Sequence, residues 1–142
     1  LPETVDGPRA ISQWNFIGMG TTAINLAMLD DSFIDTLSEG DCPVFDWYFF
    51  TRLLMDVGKG LLVKGAQTYY RIHDNNLVGT SHDINQEYQV KLTHYKNLAK
   101  RYPYFAHLYQ DLQKLDIASI DTKQSHNGYW WSIIKMEDTY EI

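Results

Sequence analysis

Apolar positions recur with a helical period along much of the chain. Between residues 44 and 57, Trp47, Phe50, Leu54 and Val57 fall at i, i+3, i+7 and i+10, with Leu53 beside them. That spacing predicts an amphipathic helix. Gly58 and Gly60 follow, and Gly58 stands where a helix-ending glycine belongs. Residues 83–101 predict a second long helix, with Ile84, Tyr88, Lys91, Leu92, Tyr95 and Leu98 on one stripe. Pro103 marks its end and is equally suited to the first turn of the next helix, which would bury Phe105, Leu108, Leu112 and Leu115. A shorter apolar face, Phe33, Ile34 and Leu37, follows Asp30, Asp31 and Ser32, which offer an N-cap.

Other stretches lack that period. Residues 15–24 mix small and β-prone side chains and predict a buried strand, its glycines marking a close backbone approach. Residues 24–29 either continue it or turn helical. Residues 61–72 alternate loosely and favour a strand, and Asp74-Asn75-Asn76 reads as a turn. Residues 121–128 form a polar linker. The aromatic segment 129–134 suits either helix or strand. Pro2, Gly7 and Pro8 make the first residues irregular.

Composition narrows the class. The 142 residues are 44% hydrophobic and 14% aromatic, enough for one domain with a real core. No apolar run reaches the roughly 18 residues that span a bilayer. The formal net charge of -6 has no basic stripe against it, so nucleic acid is not an expected partner. The lone Cys42 cannot form an internal disulfide, which fits a reducing, cytoplasmic compartment. The chain begins at Leu1 without a signal-peptide pattern and is expected to be a piece of a longer protein.

The central stretch carries the chemistry. Asp46-Trp47-Tyr48-Phe49-Phe50-Thr51-Arg52-Leu53, a glycine-containing link and Tyr70-Arg71-Ile72-His73-Asp74-Asn75-Asn76 together resemble the C-terminal half of an inverting family 2 glycosyltransferase of the GT-A fold. In that family an acidic aromatic helix precedes a strand ending in Tyr-Arg-x-His-x-x-Asn. Asn15-Phe16-Ile17-Gly18, with Thr21 and Thr22, is similar to the strand placed before the acceptor-site helix. The likeness covers roughly residues 14–80.

The resemblance implies an α/β fold of few strands and several helices. Residues 1–80 would be the acceptor-side half of a catalytic domain, and residues 81–142 a helical extension of it. It implies that Asp46 is the general base on an acceptor hydroxyl, since a sugar hydroxyl attacks well only when a carboxylate accepts its proton. At a helix N-terminus the dipole would favour the charged form of Asp46. It implies that His73 completes a Mn or Mg site and that Arg71 and Asn76 brace the loop or touch phosphates. Trp47 could stack on a sugar ring, although core packing is the commoner role for an aromatic there.

Two departures stand beside this. Phe45 occupies the place where the family carries glutamate. No Asp-x-Asp metal motif occurs in the chain, and the nucleotide-binding half is missing. The fragment alone is therefore expected neither to hold a nucleotide-sugar tightly nor to turn over. The missing Gln-x-x-Arg-Trp signature of processive synthases favours single-sugar addition. The partners implied are a nucleotide-sugar, a glycan or lipid-linked acceptor and the N-terminal half. Self-association through uncovered apolar surface is expected, and a lipid-linked acceptor would bring the enzyme to the inner face of a membrane. Glu137, Asp138 and Glu141 weigh against an anionic membrane contact at Trp130-Trp131. The alternatives are a non-catalytic helical module that docks a protein partner and a degenerate scaffold half. The spacing of His82, His94, His107 and His126 assigns them no site.

Overall fold

The computed structural model describes the chain apart from residues 40–41, 70–82, 124 and 126–127. Its helices are α1 (Asp31–Asp35), α2 (Phe45–Asp56), α3 (Ile84–Leu98) and α4 (Pro103–Lys114), and its strands are β1 (Thr4–Asp6) and β2 (Lys59–Leu61). The architecture is mixed: helices dominate, and β1 and β2 form a small antiparallel sheet in which Val5 faces Gly60. No helix among the described residues is long and apolar enough to cross a membrane.

α2 is the centre. Trp47, Tyr48, Phe49, Phe50, Thr51, Arg52 and Leu54 are all buried, so it is covered on nearly every side rather than along one stripe. Trp47, Phe49, Phe50 and Leu54 join a cluster with Val5, Ile11, Phe33, Val90 and Trp131. Tyr48 points into a second cluster built from Tyr95 and Leu98 of α3 and from Tyr104, Phe105, Leu108 and Leu112 of α4. Trp47, Phe50 and Leu54 of the expected stripe are buried, Val57 is the half-buried C-cap, and Gly58, at φ 81°, takes the left-handed conformation that ends the helix. Asp30 caps α1 by accepting the Phe33 N–H at 2.9 Å, and Pro103 opens α4.

Three expectations need correction. Residues 15–24 are not a strand. The Thr21 and Thr22 hydroxyls both donate to the Gly18 carbonyl at 3.0 Å, which curls the chain into a 3-10 turn at Met19–Thr21. Only Asn15 pairs, in a single bridge to Trp130. Of the strand expected over 61–72, the described part is displaced: β2 spans Lys59–Leu61, and residues 62–69 are exposed and irregular, while residues 70–72 and the expected turn at Asp74-Asn75-Asn76 lie outside the described residues. The segment 129–134 is neither helix nor strand. Trp131 sits at φ 59°, a left-handed turn inside an otherwise irregular strap.

That strap, residues 129–142, runs back over the first residues. Asn15 and Trp130 exchange backbone hydrogen bonds of 2.8 and 2.9 Å. The Gln13 side chain donates to the Met136 carbonyl (3.0 Å) and accepts from the Met136 N–H (2.7 Å), as an adjacent strand would. Further on, the Tyr104 hydroxyl donates to Asp138, and Arg9 reaches the Tyr140 carbonyl. Described residues before 70 and after 83 thus share one core, with Val90 and Trp131 in the same cluster as Val5 and Ile11.

Candidate functional site

Asp46 lies in the first turn of α2, whose N-cap is Val44 and which has no side-chain cap. Its carboxylate accepts the Trp47 backbone N–H at 2.7 Å, in the turn where helix N–H groups lack intrahelical acceptors. Half-buried, it holds its proton more firmly than an ordinary aspartate. Burial raises its pKa from 3.8, while the N–H groups of Trp47 and of Asp46 itself pull the other way. The helix-end contribution expected from the sequence is present, but desolvation outweighs it.

Trp47 is a core residue. It is fully buried, its indole N–H donates to the Ile11 carbonyl at 2.6 Å, and its ring stacks on His94 at 3.9 Å and 17°. No face is open to a sugar, which corrects the substrate-stacking role: a ring this well held anchors α2 instead. Arg71, His73 and Asn76 lie outside the described residues, as do His82 and His126.

On α3, whose His94 stacks on Trp47, lies a buried polar group that the sequence reading left unassigned. Glu87 and Lys91, one turn apart on α3, are completely buried with Nζ 3.4 Å from Oε1. Lys91 donates to the carbonyls of Gln13 and Ile134, both at 2.5 Å. Glu87 accepts the N–H groups of Ile133 (3.2 Å) and Ile134 (2.7 Å). Both charges are therefore paired and hydrogen-bonded, which makes their burial tolerable. Desolvation still pulls Lys91 down to about 8, against the pull of Glu87. His94 completes the row. Neither of its ring nitrogens has a hydrogen-bond partner among the described residues, and burial next to Lys91 pushes its pKa down to about 3. The sequence signal for this row was available, since Glu87, Lys91 and His94 recur at i, i+4 and i+7.

Among the described residues no group of three or more His, Cys, Asp or Glu side chains is placed to hold a metal ion. His73, the one ligand the resemblance names for a Mn or Mg ion, lies outside the described residues. A shallow cavity of about 270 Å³ opens between Asn15, Phe16, Tyr129 and Trp130, with Leu1 and Gly128 at its rim. Asp46 is not part of its wall.

Comparison with family models, curated proteins and solved structures returns no match.

Proposed function

We propose that this chain is the acceptor-side part of an inverting glycosyltransferase, with Asp46 as the general base. The observation that carries the proposal is a half-buried carboxylate at the start of an aromatic helix, its proton affinity raised by burial. It precedes Arg71, His73 and Asn76 in the order the family resemblance requires. A carboxylate with raised pKa is the stronger base, provided it is still ionised at the working pH.

In the reaction, the acceptor hydroxyl gives its proton to the Asp46 carboxylate as its oxygen attacks the anomeric carbon. The bond from that carbon to the nucleoside diphosphate breaks on the opposite face, and the diphosphate leaves with the electron pair. One displacement inverts the centre. No step is assigned to a metal ion. The nucleotide donor would be held largely by the missing half, which would also cover the exposed Leu26, Met28 and Ile34.

Asp46→Asn in the full-length protein tests this. The expected result is a loss of about 10²–10⁴ in kcat for sugar transfer, with the chain still folded, because Asn keeps an oxygen for the Trp47 N–H. Unchanged transfer would overturn the base assignment. The docking-module reading is less well supported, because the aromatic side chains of α2 that would form its surface are nearly all in the core.

A further inference from the structure

The least explained group in the molecule is His94. A fully buried imidazole normally spends both nitrogens on hydrogen bonds. This one spends neither among the described residues and uses its face instead. The partner of that face is Trp47, which is fixed at three points. Its indole N–H is tied to the Ile11 carbonyl, its ring lies flat on His94, and its backbone N–H holds the carboxylate of Asp46. Phe105 meets His94 edge-on from α4 at 6.3 Å, and Tyr95 leans against both His94 and Trp47 from α3. The imidazole is thus wedged between α4 and the first turn of α2.

We infer that His94 is a positioning residue for Asp46: stacked on Trp47, it sets the indole and thereby the first turn of α2 that carries the carboxylate. This rests on the transferase reading for its functional meaning but not for its structural content. Asp46 makes its recorded hydrogen bonds to backbone N–H groups, so it goes where the backbone of the first turn goes. A flat, neutral ring does what an aliphatic side chain would not. It lies nearly parallel to the indole, 3.9 Å between ring centroids and 17° between planes, a stacked contact that a branched aliphatic chain cannot reproduce. The titratable groups around His94 are Lys91 and Glu87 on its own helix, and Tyr95 beside it. Trp47 and Phe105, which meet it from α2 and α4, do not titrate.

The test reads the Asp46 carboxyl directly, by carbon-13 NMR titration of the folded chain, in the wild type and in two variants. His94→Leu removes the flat face. The Asp46 pKa is expected to fall toward the ordinary aspartate range as the first turn loosens and water reaches the carboxylate. His94→Phe keeps the face and is expected to keep the raised value. Should His94→Leu fail to fold, His94→Met carries the same expectation. A folded His94→Leu or His94→Met variant with an unmoved Asp46 pKa overturns the inference, as does a His94→Phe variant shifted as far as either.

In the full-length enzyme, His94→Leu should lower kcat by about a hundredfold, as a small misplacement of a catalytic group does. The donor KM should stay constant, and His94→Phe should restore the rate. The two readings fail separately. If Asp46→Asn abolishes transfer while His94 variants leave the Asp46 pKa alone, the positioning role is wrong. If the pKa responds to His94 but Asp46→Asn remains active, the positioning stands and the transferase reading is wrong.

Discussion

His94 takes no proton in its native surroundings until the pH is far below that of a free imidazole, because burial and the nearby Lys91 cation both penalise the charged ring. In the unfolded chain it would titrate near 6.5. Its folded pKa is depressed, so between about 3 and 6.5 the unfolded state binds more protons and stability rises with pH. The His94 contribution is complete above pH 6.5 and is lost as the pH falls, by about 1.4 kcal/mol per unit. Urea denaturation at pH 7, 6 and 5 should show that slope in the wild type, and His94→Phe should remove most of it. A wild-type stability independent of pH over that range would show that the ring is not held neutral. Spacing assigned His94 no site for a physical reason: ligand spacing tests whether a nitrogen can reach a metal, and this residue works through its π face. Asp46 is the converse case. Its place in the first turn was legible, but the sign of its pKa shift was not, because the sequence does not show how deeply the fold buries its carboxylate.

On α3 the helical period was legible and its phase only in part. Tyr88 and Leu92 were expected inside with Lys91. Lys91, Tyr95 and Leu98 are buried as expected, but the buried face widens to Glu87, Val90 and His94 on its other side, and Ile84, Tyr88 and Leu92 are only partly covered. The charged pair is inside because the strap and the first residues present it with bare backbone: two carbonyls for Lys91, two N–H groups for Glu87. Hydropathy ranks such residues as surface, and only tertiary contact shows what they satisfy. This predicts an unusual mutational pattern. Lys91→Met or Glu87→Gln alone should cost about 3–5 kcal/mol, the typical price of breaking a buried pair. The combination Glu87→Leu with Lys91→Met should be no better than the worse single change, because four backbone groups are left unpaired. Guanidinium denaturation of the three variants measures this. Recovery in the double variant, as seen when a purely ionic pair is replaced by packed apolar residues, would mean that the backbone contacts contribute little. Residues 15–24 misled for a related reason. Glycine and threonine suit a strand, but here the hydroxyls close on Gly18 and turn the chain away.

For the molecule as a whole, the helices were readable and the strap was not. α2, α3 and α4 begin and end within a few residues of where period, glycine and proline place them. Nothing periodic marks residues 129–142, which are held by side chains reaching from elsewhere: Gln13, Glu87, Lys91, Tyr104 and Arg9. Deletion should reveal its two parts. Removing residues 135–142 takes away the Met136, Asp138 and Tyr140 contacts but spares the bonds at Ile133 and Ile134, so the chain should still melt cooperatively at a lower temperature. Removing everything from Tyr129 onward strips Glu87 of the Ile133 and Ile134 N–H groups and leaves Lys91 with the Gln13 carbonyl in place of two, and should abolish the cooperative transition in circular dichroism. A sharp melt in the longer deletion would show that the core closes without the strap.

Lys91 ties Gln13 to Ile134, which puts a constraint on biosynthesis. A ribosome delivers those two residues far apart in time, so the ammonium group has only one of its carbonyl partners until translation of this region is almost over. The nascent chain must wait with that socket half-filled, and helices made early cannot settle permanently. Folding dominated by so distant a closure is slow compared with helix formation. A stalled product ending before Ile134 should accordingly be a substrate for chaperones and proteases rather than a folded intermediate.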